Sequence, residues 1–400
     1  MKDFSKRLKS EGKKKVTIRT SSGSSIEVSV RYYRRHYDRS RGNWKRKRRK
    51  RQEGLYAGLI LLGIHERSTP LLSSEVGMFT ALLGSLSETQ AVLAQRGVEL
   101  DVKTIRLLAY RSVQRVRMMQ KMGHFGFGEK DTLKGLRVVV SSDGGRVRLR
   151  EKKRGPKTPK GRNRYKGAWR EPKLLLIYVV DAEGKQSRCF TPVIDGIIRG
   201  PDAFFALLGS YLRQLDVQEV DQLLFISDGA PWIWNRAPAL INSLGIDSTR
   251  VHFLLDFYHA TEHLHRVASL RKGWTAKERK RWFNKQRKLL LHGKVDQVIE
   301  AISLLCRGRN SKAMRTERDY FRKHRQHMAY DRAATLKLPI GSGSMESAIR
   351  RVVNLRLKGP STFWCKENAE AVLMLRSYFK AGRWKNFCRL ANSHLSLLAS

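Results

Sequence analysis

The sequence predicts an α/β protein built on a mixed sheet, antiparallel at first and then joined by βαβ crossovers. Three observations predict it. Apolar runs of strand length, rich in β-branched residues, begin only after about residue 134 and end near 255. The later runs are separated by segments of helical period, as parallel neighbours require. From 260 to 340 the strand pattern stops and helical spacing takes over.

Taken in order, residues 1–53 read as a basic arm, with 20 Lys+Arg against 5 Asp+Glu. Within it SIEVSVRYY (25–33) alternates like a strand, and the block Lys45–Arg51 follows. Such a block is a solvated tail or, in a chain this basic, a contact to DNA or RNA through Lys45, Arg46 and Arg48. Residues 54–125 read as helical. Ser87-Glu88-Thr89-Gln90 fits a capping box, and Gly97 is the stop of the helix it opens. Asp101 is the N-cap of a second helix whose apolar side carries Val102, Ile105, Leu108, Val113 and Val116. Lys103, Thr104, Arg106 and Arg111 lie off that side. This is the layout of a helix-turn-helix, with Lys103, Thr104 and Arg106 placed to meet DNA, although any helical hairpin shares the pattern.

The sheet region spans 130–259. LRVVVSS (136–142) is a strand closed by Asp143-Gly144-Gly145, and Val147 and Leu149 alternate with arginines as a hairpin partner would. Residues 152–170 read as a Lys-, Arg-, Gly- and Pro-rich loop. Strands follow at 174–180 and 188–194, a helix at 201–215, a strand at 222–227, a helix at 232–244 and a strand at 251–255. The strands that come first are thus antiparallel, and βαβ crossovers follow. Residues 260–340 then form an all-helical insertion with a capping box at Thr275 and Glu278. The Gly341–Ser344 hinge opens a closing helix within a last region, 341–400, that ends in further helices.

Composition bounds the partners. The 400 residues carry 81 Lys+Arg against 35 Asp+Glu, a net charge of +46. No packed domain needs that excess, so a polyanion is expected, with phosphate as the anion. Enzymes of small metabolites and acidic adaptors are disfavoured. Cys189, Cys306, Cys365 and Cys388 are scattered, which excludes a disulfide framework and a thiolate zinc finger of ordinary spacing and fits a reducing compartment. The longest apolar run, 55–64, is about half a membrane span, and the N-terminus has no apolar signal region, so a soluble, intracellular protein without membrane contact is expected.

Carboxylates are scarce, so their placement is informative. Asp143, Asp228 and Asp256 each sit just past an apolar strand, where open α/β sheets build their sites. Glu346 is one turn into a helix opened by a Gly/Ser loop. Acids converging on one point repel unless a divalent cation neutralises them. Mg²⁺ prefers oxygen ligands, and two such ions can clamp the attacking and leaving oxygens of a phosphoryl displacement. Singly each residue has an ordinary reading: a hairpin turn for Asp143, helix caps for Asp228 and Asp256, an i,i+4 partner of Arg350 for Glu346. Asp181 and Asp195 read as turn residues. Asp256 and His259 share a helix face, where His259 either meets a phosphate or is a core histidine satisfied by Asp256. His263 and His265 read as surface residues. Trp232 and Trp234 pack a helix onto the sheet or stack on an unpaired base. Arg350, Arg351, Arg356 and Lys358 follow Glu346 and either hold backbone phosphates or form a solvated face.

Three stretches carry a resemblance: VVVSSDGGRVRLRE (138–151), FISDGAPWIWN (225–235) with LLDFYHATEHL (254–264), and IGSGSMESAIRRVVNLRLKGPSTFW (340–364). With them the chain resembles bacterial insertion-sequence transposases of the DDE type, closest to the Kra-type group and more distantly to Mutator-like transposases. The similarity covers most of the chain from about 54 onward. It implies a ribonuclease H-like core with Asp143 and Asp228 as catalytic aspartates and Glu346 as the closing glutamate. These would hold two Mg²⁺ ions, with Mn²⁺ able to substitute. Asp256 and His259 match an accessory D-x-x-H signature, and 260–340 matches the helical insertion placed before the glutamate. Expected partners are DNA, as element terminal repeats and as target, with a homodimer forming on it in the bacterial cytoplasm at the nucleoid. One departure is the lack of a Cys-x-x-Cys pair in 31–43. The alternative is a catalytically silent DNA-binding protein derived from such a transposase.

Overall fold

The structure, a computed structural model, describes residues 8–35, 54–306, 312–360 and 362–393. The block with Lys45, Arg46 and Arg48 lies outside the described residues. The chain divides into two compact units, one of the residues up to Gly126 together with those from Trp384 onward, the other Phe127–Arg383.

In the first unit the arm's described residues form a hairpin. Strands β1 (Leu8–Arg19) and β2 (Ser25–Arg35) pair antiparallel, and β3 (Gly54–Leu55) adds a short third strand beside β2. Val16 and Ile18 are buried with Leu59 of helix α1 (Ala57–Leu61), and Val28, Val30, Tyr56 and Ile64 pack against them. Gly23 in the hairpin turn has φ +81°, and a side chain there would collide with the Gly97 carbonyl, so only glycine fits.

Helices α2 (Pro70–Leu82), α3 (Leu86–Gln95) and α4 (Val102–Lys121) pack on one another. The cap of α3 is Ser85, two residues earlier than the sequence pattern suggests. Its Oγ accepts the Glu88 N–H at 3.0 Å, while Glu88 Oε2 accepts the Gly84 N–H at 2.9 Å. Asp101 does cap α4, accepting the Thr104 N–H at 2.7 Å. Ile105, Leu108, Val113 and Val116 are buried, whereas Lys103 and Arg106 are exposed. The buried Arg115 donates to Glu66 at 2.8 Å and to the Ala391 carbonyl at 2.7 Å, tying in the returning helix Trp384–Ala391.

The second unit is α/β, on a five-stranded mixed sheet. Its strands are β4 (Arg137–Gly144), β7 (Lys173–Val180), β8 (Val193–Ile197), β9 (Gln222–Ser227) and β10 (Val251–Leu255), in the order β10-β9-β4-β7-β8. β4, β9 and β10 run parallel, while β7 is antiparallel to β4 and to β8. Every residue of β7 is buried, as expected of an inner strand covered on both faces. Helix α5 (Pro201–Gln214) leads from β8 to β9. The predicted helix 232–244 is two short ones, α6 (Pro231–Trp234) and α7 (Ala237–Asn242), interrupted at Asn235-Arg236.

Three sheet readings are corrected. Val147 and Leu149 do not pair back on β4. β4 runs through Asp143 to Gly144, and its antiparallel neighbour is β7, with Asp143 opposite Leu174. The loop 152–170 is not all loop: β5 (Val147–Lys152) pairs with β6 (Tyr165–Arg170) in a separate two-stranded sheet. The strand predicted at 188–194 is displaced to 193–197, which puts Asp195 inside β8, fully buried. Its carboxylate there accepts the Tyr211 hydroxyl at 2.8 Å, so Asp195 is no turn residue. Asp181 is one, accepting the N–H groups of Glu183 and Lys185.

Between 260 and 340 every described element is helical: α8 (Phe257–Leu270), α9 (Ala276–Leu291), α10 (Val295–Leu305), α11 (Lys312–His324) and α12 (Tyr330–Thr335). The capping box at Thr275 and Glu278 is present. The closing helix begins as α13 (Gly343–Ile349), widens into a π-helical segment Arg350–Asn354 and ends as α14 (Leu355–Leu357). A π turn frees carbonyls from their α partners. Arg376 of α15 (Lys366–Lys380) reaches the Val352 carbonyl at 3.0 Å and also the Arg351 carbonyl. No helix among the described residues is long and apolar enough to cross a membrane.

Candidate active site

The site is built at the carboxyl ends of the three parallel strands. Ser142 of β4 is opposite Ser227 of β9, and Leu255 of β10 is opposite Ser227 from the other side. One residue further along each strand come Asp143, Asp228 and Asp256. The Ser142–Ser227 step is fastened by side chains: Ser227 Oγ donates to the Ser142 carbonyl at 2.8 Å and accepts the Ser142 N–H at 3.1 Å. Asp143 and Asp228 are therefore neighbours across a tightly held pair of strands.

Their electrostatics reflect this. Burial, followed by the charge of Asp228, pushes the Asp143 carboxyl up to about 7; Glu171 and Glu346 add to the rise and the Gly144 N–H opposes it. Asp228 is also raised, first by burial and then by Glu171 and Asp256, against the Ala230 N–H and His259. Asp228 and Glu346, the latter some two hundred positions away in sequence, thus both act on Asp143. Carboxyls raised by neighbouring carboxylates suit a cation, which would remove the repulsion. Among the described residues, no three His, Cys, Asp or Glu side chains are gathered closely enough to hold a metal ion together.

Backbone and aromatic contacts hold each acid. Asp228 Oδ1 accepts the Ala230 N–H at 3.1 Å, and the Asp228 carbonyl accepts Trp234 Nε1–H at 2.5 Å. Trp234 is buried and stacks on His327 at 4.1 Å, while Trp232 lies edge-on to Phe204. Both tryptophans therefore pack, the first of the two readings open to them. Asp256 is a buried cap with two duties. Its Oδ1 accepts the His259 N–H at 3.0 Å, opening α8; its Oδ2 accepts the Ser342 N–H at 2.7 Å and the Ser342 hydroxyl. Ser342 opens the helix that carries Glu346, so Asp256 holds the turn before Glu346 from the end of β10. Ser344 is bonded to the Tyr178 hydroxyl of β7, a second tie for the same turn. Replacing Asp256 with alanine removes three acceptor contacts and is expected to cost about 2 kcal/mol, read as a lower urea midpoint, and to lower any activity that needs Glu346.

The imidazole of His259 is not bonded to Asp256, which contacts only its backbone. His259 is a third exposed, beside Glu262 at 3.8 Å, and its charge acts on Asp228. His263 is not a surface residue: it bonds Glu317 at 2.6 Å and stacks on Tyr320 at 3.5 Å. His265 is exposed. Glu346 is exposed in the first turn of α13, and Arg350 and Arg351 follow on the same helix, also exposed. Arg351 and Lys380 line a cavity of about 600 Å³ beside Gly343, Ser344 and Ser347. In the first unit Lys103 and Arg106 stand open on the first turn of α4, and Thr104 is half-buried over its cap.

Two members went unread in the sequence. Glu171, just before β7, raises both aspartates, bonds Lys173 at 2.5 Å and lies so close to Gly144 that a side chain there would collide with it. Tyr320 of α11 lies over Gly229, and its buried hydroxyl is pushed up by burial and by Asp228 and Asp256. Nothing local in EPK or DYF marks either one; only the fold brings them here. Comparison of the chain with protein-family models, with curated proteins and with solved structures gives no match.

Proposed function

We propose that the protein is a DDE-type DNA transposase with a ribonuclease H-like core, which binds the ends of an insertion element and carries out hydrolysis and strand transfer at Asp143, Asp228 and Glu346. The observation that carries this reading is the pair of half-buried aspartates on adjacent parallel strand ends, both raised, with Asp228 and Glu346 acting on Asp143. The resemblance supports it: antiparallel strands, then βαβ crossovers, then a helical insertion before the glutamate helix is the layout it implies. So does the net charge of +46.

Asp143, Asp228 and Glu346 would hold two Mg²⁺ ions after drawing closer than they stand here, and the ions would supply a water of lowered pKa and neutralise charge on the phosphodiester. The chain's own part is positioning. Trp234 and the Ala230 N–H fix Asp228, and Asp256 fixes the turn that presents Glu346. With its acid near 7, Asp143 retains a proton at neutral pH more readily than an ordinary aspartate until a cation or substrate changes its surroundings. Arg350 and Arg351, one to two turns beyond Glu346, meet backbone phosphates. Lys103, Thr104 and Arg106 on α4, with Lys45, Arg46 and Arg48 of the arm, hold the terminal repeats. Two ends cut together call for a homodimer on DNA.

Supercoiled plasmid incubated with the protein is expected to convert to open circles with Mg²⁺ and to stay supercoiled with EDTA. Binding without nicking in Mg²⁺ and in Mn²⁺ would leave the catalytically silent DNA-binding protein instead.

A further inference from the structure

Between Asp143 and β7 the chain makes the small β5–β6 sheet, which no catalytic role absorbs. In its register Arg148 is opposite Trp169, Arg150 opposite Gly167 and Lys152 opposite Tyr165. Opposed residues of an antiparallel pair share a face, and so do alternate residues of each strand. These six therefore line one face. The other face carries Val147 and Leu149, both buried. The first face is open, with Trp169 53% and Tyr165 44% exposed.

A third aromatic completes it. Phe363 seats on Gly167, where a Cβ would come within 2.6 Å of its ring, and lies 5.7 Å from the Tyr165 ring. Gly167 thus leaves room for a ring between the two exposed ones, and the row spans about 13 Å from Tyr165 to Trp169. Guanidinium groups interleave: Arg148 is 5.0 Å from the rings of both Trp169 and Phe363, and Arg150 is 4.9 Å from Tyr165. The segment bearing Phe363 is fastened to β5, since the Arg150 N–H meets the Trp364 carbonyl at 2.7 Å and the Trp364 N–H meets the Arg148 carbonyl at 2.9 Å. Residues 146–170 hold twelve Lys+Arg and one acidic residue.

Aromatic faces alternating with guanidinium groups on an open sheet match an unpaired nucleic-acid strand. Its bases can stack on the rings while its phosphates meet the cations; in a duplex the bases are already stacked on each other. The platform adjoins the site at both ends. β5 follows Asp143 after only Gly144, Gly145 and Arg146, and Phe363 follows the helix of Glu346. We infer that this face is a stacking platform for two or three unpaired nucleotides of the DNA strand whose phosphodiester lies at Asp143 and Asp228. It rests on the proposed function only for which strand is held.

The test is fluorescence anisotropy with labelled oligothymidylate and with a duplex of equal length, on the full chain in EDTA. Trp169→Ala and Tyr165→Ala are each expected to weaken oligothymidylate binding about 5- to 100-fold and to leave duplex binding within about twofold. Trp169→Phe should keep most of the affinity, and the salt dependence should not move, because no phosphate contact is lost. Equal losses on both probes, or no loss on oligothymidylate, would overturn the platform. Tighter binding of oligouridylate would overturn the choice of DNA. Since neither metal nor cleavage enters, a protein that passes here yet never nicks plasmid would lose the catalytic reading alone.

Discussion

Asp228→Asn and Glu346→Gln should each lower Mg²⁺-dependent strand cleavage by about a thousandfold or more while leaving DNA binding within about threefold. The size follows from the several kcal/mol of charge stabilisation that a correctly held metal supplies in phosphoryl displacement. The sparing of binding follows from the structure. An asparagine side chain in place of Asp228 would keep an oxygen to accept the Ala230 N–H, and the Trp234 bond goes to the backbone carbonyl, so the turn survives the substitution. Glu346 is exposed and held by its backbone, which bonds the Ser342 carbonyl at 3.1 Å, so glutamine there disturbs no core. The basic surfaces proposed to meet phosphate are untouched. Asp195→Asn is the useful contrast: a buried carboxylate bonded to Tyr211 in β8, it should reduce stability rather than the chemical step. Cleavage at the wild-type rate by either site variant would remove the assignment.

What could be read beforehand was whatever depends on near neighbours. The bounds of β9 and β10 match the apolar runs, and the caps at Asp101, Asp256 and Thr275 match because a cap is a contact across three residues. Strand-end acids could be read for the same reason: an apolar run followed by Asp is a local pattern. Pairing partners could not. Asp143-Gly144-Gly145 has the composition of a hairpin turn, yet β4 continues through it because β7, some thirty residues later, supplies the opposite edge, and the Gly145 N–H is taken by the Pro172 carbonyl at 2.8 Å. The alternation of Tyr165, Gly167 and Trp169 was a strand signal, masked by the density of Lys and Arg around it. The second duty of Asp256 joins positions 86 apart, and Glu171 and Tyr320 enter the site only through folding, so no spacing rule reaches them.

Asp143→Asn should make the metal-free protein more stable at pH 8, by about 2–4 kcal/mol, while removing cleavage. The folded carboxyl stands at about 7 against an ordinary 3.8. Below about pH 4 both the folded and the unfolded chain carry the proton, and the group contributes no difference. As pH rises from there to about 7 the unfolded chain releases the proton and the folded chain retains it, so stability falls along this interval. Above about 7 the folded chain must ionise Asp143 beside Asp228, Glu171 and Glu346, and the whole penalty is present. Asparagine has no charge to bury and still accepts the Gly144 N–H that Asp143 Oδ1 accepts at 2.6 Å. In urea denaturation the two proteins should therefore coincide near pH 4 and separate toward pH 8, with the variant ahead. Added Mg²⁺ should close the gap by raising the wild type alone, because a cation bound by the folded state only stabilises that state. A gap that does not change with pH would mean that packing, not charge, separates the two proteins. A wild type more stable than the variant at pH 8 without metal would mean that the acids do not repel. Either result would undo the electrostatic basis of the site without any DNA in the experiment. Acids that cost the fold stability until a cation arrives are expected where position serves a reaction rather than packing.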